Sequence, residues 1–571
     1  MCEVLFVTPS KEPTTNTESL GTLLLATILK NKGINVDIFR FSETDMTQPF
    51  NNFVDEACEK ILQRKPAIVS FYCRCDVFLS DIMIAKKLKE TAPEVIIVFG
   101  GPQADISSYD TLSELDFVDF CCSGEGETTI YPLFYALLNK GDYSDIPGLT
   151  YRKPDGSIAE NPRPRLIQNL DDTPLLDYSL IPEEYINNDL NNRIAPSIDV
   201  GRGCPFNCAY CSTSMFWERN FRIKSSRRII EEMMDLHNKY GFTQFNFEHD
   251  LFTASKKRII EFCNALKELD KDFIWSCSSR VDTIDEESIV TMAENGLKAI
   301  YLGIETGSQR IQKLSNKNLN VENVPKIVKL LVDNKINVTA SFMYGFPEET
   351  EEDLEMTLQL VYKLYKLGVR TFSYHLCTIH KGTKYYNDYI DKLTPTTSYS
   401  DQVTSYGIEE NAKFIENHRV LFPFFYEYAS PLRDKFGDLK LFAGHSLIIY
   451  DLFSVLFPEK FKDMKFTEII THLQGMFALE ESLPDSYEMA RLYGKRFIKD
   501  SDFDKLSDII NFYKDFNSFK DDRNATADIK AYGVDVKDVY SGKPFDEIRI
   551  QNNMTYFSKN NGTVNITPVA I

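Results

Sequence analysis

The stretch GRGCPFNCAYCSTS, residues 201–214, places Cys204, Cys208 and Cys211 within eight positions. A single cysteine is most often a small buried hydrophobe. Here, however, glycine and proline mark a loop, where packing explains little. Three thiols this close together therefore predict a metal or iron–sulfur site.

The spacing of the three cysteines bears on which kind of site this is. Structural zinc takes four ligands, commonly from two CxxC knuckles or from CxxC with a histidine pair. The pattern CxxxCxxC fits neither, and the nearest histidine, His237, lies beyond a predicted helix. A cubane cluster held by three cysteines keeps one iron open to another ligand. The spacing favours a cluster over zinc.

Composition bounds the class of protein. The chain has 571 residues, 43% of them hydrophobic and 26% charged, as in an ordinary protein of several domains. The chain has no run of about 18 apolar residues, so no membrane span is predicted. The first residues do not have the pattern of a signal peptide. Twelve cysteines without a secretion signal predict a reducing cytoplasm.

Charge argues against a nucleic-acid partner, because the net charge is -20. The strongest basic stretch is RIKSSRR, residues 222–228. We interpret it as the solvated start of a helix rather than as a binding patch.

The N-terminal part alternates apolar strands with helical segments, which predicts a doubly wound, flavodoxin- or Rossmann-like parallel sheet. The predicted strands cover residues 3–9, 35–41, 67–73, 94–101 and 117–124. A ligand of such a sheet lies beyond the carboxyl ends of its strands. That edge carries VTPSKEP (7–13), YCRCD (72–76), FGGPQAD (99–105) and SGEGET (123–128).

Glycines at this edge predict a site for a bulky ligand. Gly124 and Gly126 let the backbone approach such a ligand, and the helix that follows presents its N-terminus there. Gly100 and Gly101 occupy the corresponding turn after the fourth strand, and Glu125 lies between the two glycines of the last motif.

A second alternation of strands and helices follows a hairpin and an irregular linker. The strands near residues 196–201, 243–249, 273–280, 298–305, 337–345 and 371–378 predict a partial (β/α)6 barrel. Polar motifs fall at their carboxyl ends, where barrel chemistry takes place. Beyond residue 410 the pattern is mainly helical and rich in aromatic residues, and it ends in a polar tail. The predicted domains are therefore residues 1–140, a hairpin and linker over 141–192, the barrel over 193–410 and a C-terminal domain over 411–571.

CPFNCAYC at the end of the first barrel strand resembles the cysteine motif of the radical S-adenosylmethionine superfamily, including an aromatic residue, Tyr210, before the last cysteine. The motifs SSR (278–280) and GIETGS (303–308) are similar to that family's S-adenosylmethionine-contacting strands. The N-terminal domain looks like the cobalamin-binding domain that precedes the barrel in one large subfamily.

The resemblance implies three cofactors: a [4Fe–4S] cluster on the three cysteines, S-adenosylmethionine and cobalamin. Arg280 would fork onto the methionine carboxylate. Glu305 and Ser308 are candidates for the ribose and the amino-acid part, although a barrel ion pair is an equal interpretation of Glu305. Asp250 would receive a proton or position the substrate, or it would form a turn that starts a helix.

Residues 1–236 contain no histidine, so no histidine from the N-terminal domain can bind cobalt from below. The lower face of the corrin would be empty, bound to water or approached by Tyr72, Arg74 or Cys75. The glycines Gly100, Gly101, Gly124 and Gly126 and the adjoining Glu125 would surround the cofactor.

The predicted activity is methylation of an unactivated carbon in a peptide or natural product, with an electron donor such as flavodoxin or ferredoxin. Two alternatives remain open. One is a cobalamin-assisted radical cyclisation or rearrangement without methyl transfer. The other is a non-catalytic cobalamin sensor, which would have no use for the cysteine loop.

Overall fold

The computed structural model describes residues 2–9, 19–41, 47–269, 271–395, 406–478, 483–521, 527–534, 538–539, 541–548, 550–560 and 563–569. Residues 10–13 of the predicted ligand edge, and residues 561–562 and 570–571 of the predicted tail, lie outside these ranges. The chain forms two compact units: unit 1 comprises Met1–Glu348 and Leu364–Ser430, and unit 2 comprises Glu349–Lys363 and Pro431–Ile571.

The N-terminal part of unit 1 is a mixed sheet flanked by helices. Its strands are β1 (Val4–Pro9), β2 (Val36–Phe41), β3 (Ile68–Tyr72), β4 (Ile96–Gly100), β5 (Phe120–Cys122), β6 (Leu149–Arg152) and β7 (Ile158–Glu160). Its helices are α1 (Leu20–Asn31), α2 (Phe50–Gln63), α3 (Phe78–Thr91), α4 (Pro102–Glu114) and α5 (Ile130–Asn139).

The strand order of this sheet is β2-β1-β3-β4-β5-β6-β7. The first five strands are parallel, which confirms the predicted doubly wound fold. The hairpin predicted from sequence after the first domain forms as β6–β7, and it pairs antiparallel with β5 and so extends the same sheet. The short strand β5 leaves an edge that this hairpin covers.

A second set of strands and helices follows in unit 1. The strands are β8 (Ser197–Asp199), β9 (Gly201–Arg202), β10 (Arg222–Ile223), β11 (Gln244–Glu248), β12 (Ile274–Ser279), β13 (Leu297–Glu305), β14 (Asn337–Tyr344) and β15 (Thr371–Leu376). The helices are α6 (Glu183–Asn192), α7 (Thr213–Phe216), α8 (Ser226–Tyr240), α9 (Lys256–Lys267), α10 (Glu286–Glu294), α11 (Gln309–Leu314) and α12 (Val324–Asp333). Helix α13 (Glu351–Lys366) follows β14, and its residues up to Lys363 belong to unit 2.

Six of these strands form one parallel sheet, in the order β15-β14-β13-β12-β11-β8. The strands follow one another along the chain, as a partial β/α barrel requires. Local signals set the helix ends: the hydroxyl of Ser225 accepts the amide of Arg228 to begin α8, and Gly241 ends it in a left-handed conformation. The remaining two strands, β9 and β10, pair antiparallel. A single residue separates strand β9 from β8, the first barrel strand.

The end of unit 1 contains α14 (Lys384–Tyr389), β16 (Leu393–Pro395), α15 (Ala412–Asn417) and β17 (Tyr426–Tyr428). Unit 2 contains α16 (Pro431–Phe436), α17 (Leu439–Leu456), α18 (Pro458–Phe461), α19 (Phe466–Phe477), α20 (Ser486–Gly494), α21 (Phe503–Asp521), β18 (Ala527–Val534), β19 (Ile550–Asn560) and β20 (Thr563–Val569). The last three strands form an antiparallel sheet in a region interpreted from sequence as helical with a polar tail.

Helix α17 is the one helix within the described ranges that is long and apolar enough to cross a membrane, with a mean hydropathy of 1.4. Half of it is buried inside unit 2, and it packs against α19 and α20. This burial is typical of a core helix.

An aromatic cluster forms the core between the barrel sheet and its helices. Trp275 on β12 is 1% exposed and stacks on Phe247 of β11, with ring centroids 5.0 Å apart. Phe252 and Phe262 meet the same indole edge-on. The indole nitrogen donates to the carbonyl of Asn295 at 2.8 Å, so its polar atom is satisfied inside the core.

Replacing Trp275 with alanine should lower the free energy of unfolding of this core by about 3–5 kcal/mol, because a large cavity would remain. Calorimetry of the full chain measures the effect as an earlier thermal transition. The matched control is Tyr135→Ala, since that side chain is 54% exposed and its removal should leave the transition almost unchanged. Equal shifts in the two variants would contradict this core assignment.

Candidate active site

The cysteine loop, residues 203–212, lies between β9 and α7. Cys204, Cys208 and Cys211 are free thiols and partly exposed. The amide of Cys211 donates to the carbonyl of Cys208 at 3.1 Å, which closes a turn between two of them. The pairing of β9 with β10 holds the base of the loop. The three thiols therefore lie on one short segment with a fixed base.

The donor set of this loop fits a cluster. Burial raises the pKa of Cys204 to about 11 and also raises that of Cys211, and metal binding must displace those protons. Within the described ranges, no three cysteine, histidine or acidic side chains gather around a single ion. A cluster makes no such demand, because each thiolate binds a different iron.

Asp250 follows β11 and spans the cysteine loop. Its Oδ2 accepts the amide of Gly203 at 2.8 Å, and its Oδ1 accepts the hydroxyl of Thr213 at 3.2 Å. It does not cap the short 3-10 helix that follows. Because its two oxygens bind the chain before Cys204 and after Cys211, it holds the loop closed at both ends. Its suggested role in moving a proton stays a prediction.

Arg280, at the end of β12, lies behind the cysteine loop. Its guanidinium forks onto Asp282 with two bonds of 2.9 Å, and it donates to the carbonyl of Lys317 at 2.9 Å. It also donates to Cys208 Sγ at 3.6 Å and stacks 3.7 Å above the Phe206 ring. Burial alone would lower the pKa of Arg280, but the hydrogen bonds that it donates to Asp282 raise it. The two guanidinium nitrogens predicted to bind the methionine carboxylate thus donate to Asp282 in this structure.

The other predicted S-adenosylmethionine contacts have partners within the barrel. Glu305 accepts Lys317 Nζ at 2.8 Å, which matches the ion-pair interpretation. The hydroxyl of Ser308 accepts the amide of Ile311 and caps α11. Tyr210 is partly buried with its ring 6.0 Å from Phe346, and burial raises its pKa. Their contacts with a cofactor stay predictions.

A cavity of about 730 Å³ lies along the carboxyl edge of the first sheet. Gly100, Gly101, Gly124, Glu125 and Gly126 line it, as the sequence analysis predicts for a ligand at this edge. Other lining residues come from the barrel: Asp199, Ser212, Thr213, Phe216, Trp217, Lys224, Glu248, His249 and Asp250. One cavity therefore adjoins both the glycine motifs and the end of the cysteine loop.

Two of the three predicted neighbours of cobalt line this cavity: Tyr72 and Arg74. Arg74 is paired with Asp76 through two hydrogen bonds of 3.1 and 2.7 Å. Burial raises the pKa of Tyr72. Cys75 is not among the residues that line the cavity, and burial raises its pKa to about 12. Cys122, at the end of β5, lines it instead.

The glycines of this edge differ in what a side chain would meet. At Gly101 and Gly124, which have positive φ, a Cβ would lie 2.8 Å from the Tyr72 ring and 2.9 Å from Pro164. At Gly126 it would lie 3.0 Å from Leu25. At Gly100 the nearest atom would be 3.9 Å away. Gly100 thus leaves open space at the cavity wall, as a site for a bulky ligand requires.

Glu125 lines the cavity, but its oxygens are engaged by Arg202 and Arg222 at 2.6 and 2.9 Å. The basic stretch 222–228 does begin α8, yet it is not a solvated patch. Arg222, Lys224 and Arg228 are buried in ion pairs, and the last two share Glu232 at 2.8 and 2.9 Å. Charge alone suggested a surface, whereas Glu232 on α8 neutralises Lys224 and Arg228, and the distant Glu125 neutralises Arg222.

His249 and Trp217 line the cavity and were not selected from sequence. His249 lies in the EHD motif (248–250) at the end of β11. From that motif only the neighbouring Asp250 was predicted as a site residue. Burial lowers the pKa of His249, and its two nitrogens contact the carbonyl of Arg222 and the amide of Leu251. Those contacts occupy the imidazole.

Two protein families match successive parts of the chain. The B12 binding domain matches residues 11–133, and the Radical SAM superfamily matches residues 198–361. The first range spans strands β2 to β5 of the first sheet, and the second spans strands β8 to β14 of the barrel part.

Two curated relatives cover similar parts of the chain. An uncharacterized methyltransferase from Pyrococcus horikoshii is 32% identical over 331 residues, which are 57% of this chain and 70% of that protein. An anaerobic magnesium-protoporphyrin IX monomethyl ester cyclase from Rubrivivax gelatinosus is 31% identical over 318 residues. That match covers 54% of this chain and a little over half, 56%, of the cyclase.

A solved structure shares the fold over nearly the whole chain. It is the radical S-adenosylmethionine methyltransferase TsrM from Kitasatospora setae, with cobalamin and a [4Fe–4S] cluster bound. The TM-score is 0.56 at 15% identity, covering 91% of this chain and 100% of the other. With both domains in order and a relative matched over most of its length, this chain belongs to the cobalamin-dependent radical S-adenosylmethionine enzymes, whose cofactors are a [4Fe–4S] cluster, S-adenosylmethionine and cobalamin.

Proposed function

We propose that this enzyme methylates an unactivated carbon of its substrate. The observation that carries the proposal is the single cavity of about 730 Å³ bordered by Gly100 and Gly126 on one side and by Thr213 and Asp250 on the other. A radical made at the cluster and a methyl group carried by cobalamin must reach the same substrate atom, and a shared cavity permits that.

The residues proposed for each cofactor come from the sequence motifs, and those proposed for cobalamin also line this cavity. Cys204, Cys208 and Cys211 would hold the cluster. The glycine motifs at the edge of the first sheet would surround cobalamin, with Tyr72 and Arg74 near its lower face. Tyr210, Arg280, Glu305 and Ser308 stay our candidates for the neighbourhood of S-adenosylmethionine.

When bound, the cluster supplies the electron that cleaves S-adenosylmethionine to a 5′-deoxyadenosyl radical, and cobalamin supplies the methyl group. The chain's task is to hold these groups in place and exclude water. Leu24, Leu25, Phe216 and Trp217 give the cavity an apolar wall. Asp250 and Arg280 hold the loop that carries the cluster, through bonds to Gly203 and Cys208.

Enzymes of this superfamily need an electron donor and a substrate. We propose flavodoxin or ferredoxin as the donor and the reducing cytoplasm as the location, since a free cysteine loop suits neither oxygen nor oxidants. For the substrate we propose a peptide or a natural-product intermediate, because unit 2 offers a large region beyond the cofactor-binding domains.

One relative supports a second candidate function. The cyclase from Rubrivivax gelatinosus is almost as similar as the methyltransferase from Pyrococcus horikoshii, at 31% against 32% identity. A radical cyclisation or rearrangement that uses the same cofactors without transferring a methyl group is therefore the alternative. A cobalamin sensor is disfavoured, because it would not need three cysteines beside the cavity.

The products of S-adenosylmethionine separate these functions. Anaerobically reconstituted protein, given cobalamin, dithionite and methyl-deuterated S-adenosylmethionine, should form 5′-deoxyadenosine. It should also form S-adenosylhomocysteine in an amount that matches the bound cobalamin, because methyl transfer to the corrin needs no substrate. Mass spectrometry measures both. 5′-Deoxyadenosine without S-adenosylhomocysteine would favour the cyclisation, and the absence of both would refute a radical enzyme.

Replacing Cys204, Cys208 and Cys211 together with alanine should abolish iron binding and 5′-deoxyadenosine formation. Thermal stability should change little, because a partly exposed loop contributes few core contacts. Iron analysis and absorbance measure the result, and Cys263→Ala, buried in α9, is the control that should keep its cluster. A triple variant that retained cluster absorbance would show that other thiols, such as Cys121 and Cys122, are the ligands.

Gly100→Val should weaken cobalamin binding while leaving iron content unchanged. The added Cβ meets no protein atom closer than 3.9 Å, so its methyl groups would occupy ligand space. An overpacking cost of about 1–3 kcal/mol corresponds to roughly 5- to 150-fold in affinity. Hydroxocobalamin retained after desalting measures it. Gly444→Val, also uncrowded but outside the cavity, is the control. Wild-type retention in Gly100→Val would place the corrin elsewhere.

A further inference from the structure

A buried acid lies between the two glycines that border the cavity. Glu125 has a side chain that is 1% exposed. Its Oε1 accepts Nη1 of Arg202 at 2.6 Å and Nη1 of Arg222 at 2.9 Å. Its Oε2 accepts the same Arg222 nitrogen at 2.9 Å and the amide of Ile167 at 2.6 Å. Both oxygens are therefore used by the protein itself.

The two arginines belong to the hairpin that holds the cysteine loop. Arg202 on β9 and Arg222 on β10 are register partners at its base. Arg202 lies two positions before Cys204. A displacement of this hairpin would move the loop with it, since the loop begins directly after β9.

The arginines depend on Glu125 to different extents. Arg202 also pairs with Glu127 at 2.7 Å and with Asp199 at 3.3 Å. Arg222, with a side chain only 7% exposed, has Glu125 as its one acidic partner among the described residues. Its Nε and Nη2 have no hydrogen-bond partner there either. A buried guanidinium is costly unless a carboxylate neutralises it, so the place of β10 depends on Glu125.

We infer that Glu125 is a positioning residue: it fixes the cysteine loop relative to the glycine motif Gly124–Gly126 and thereby sets the distance between cluster and cobalamin. This inference rests on the proposed function, because it takes the cluster and the corrin to bind at these two motifs. It replaces the expectation that Glu125 contacts a cofactor. Radical chemistry needs this precision, since a misplacement of about 1 Å can cost about 100-fold in rate.

The test measures the distance between the two cofactors directly. The full chain is loaded with the cluster and with cob(II)alamin, which is already paramagnetic. Dithionite then reduces the cluster by one electron to its paramagnetic state, and pulsed electron paramagnetic resonance records the cobalt–cluster distance distribution. Glu125→Gln keeps the size of the side chain but removes the charge, so the distribution should become roughly twofold broader or shift. Iron and cobalamin contents, measured on the same samples, should stay near those of the wild type.

Glu127→Gln is the matched control. Glu127 is two positions away, and Arg202 is its one ion-pair partner among the described residues. In this variant Arg202 would keep its pairs with Glu125 and Asp199. The distance distribution of Glu127→Gln should therefore match that of the wild type. An unchanged distribution in Glu125→Gln would overturn the inference, and so would equal broadening in both variants.

A second variant covers the case in which Glu125→Gln does not fold. The double variant Glu125→Gln with Arg222→Met removes both charges, which is tolerated far better than removing one partner of a buried pair. Its hairpin has lost the tie to Glu125, so a broadened distribution supports the inference and a wild-type distribution refutes it. Failure of wild-type protein to bind iron or cobalamin would instead refute the proposed function, and the inference with it.

Discussion

Parallel strands end at a common edge, and this constraint determines where the candidate site lies. In the first sheet the strands β1 to β5 run parallel, so the turns after β3, β4 and β5 meet along one border. The six barrel strands are parallel as well, and their polar motifs gather in the same way. The turns after β3, β4 and β5 and the ends of β8 and β11 border one cavity of about 730 Å³, so groups bound at the two sheets can meet there.

Buried charge is the second organising feature of unit 1. Arg202, Arg222, Lys224 and Arg228 are all largely removed from solvent, and each has a carboxylate within hydrogen-bonding distance. Although burial alone would lower the pKa of Arg202, Asp199, Glu127 and Glu125 raise it. Removing one partner of such a pair typically costs about 3–5 kcal/mol. The network therefore holds the glycine motif Gly124–Gly126 and the β9–β10 hairpin in one arrangement.

The cysteine loop is supported on two sides by residues that sequence reasoning assigned to substrate or cofactor. Asp250 binds the chain before and after the cysteines, and Arg280 approaches Cys208 while its fork is held by Asp282. Hydrogen bonds to cluster sulfurs and nearby charge set the potential of iron–sulfur clusters. Both residues thus contact the cysteine loop itself, which is where the cluster is predicted to bind.

The sequence by itself determined the fold class of this protein and predicted its cluster ligands. Strand periodicity identified both sheets, and the spacing of Cys204, Cys208 and Cys211 needs only one loop, so neighbouring positions carry the whole signal. The partners of Glu125 were decided only by tertiary structure. Arg202 is 77 positions from Glu125, and a charge reveals nothing in sequence about which distant charge will neutralise it. The same reason explains why RIKSSRR resembled a surface: burial depends on what packs against a segment, and that is settled only when the chain has folded.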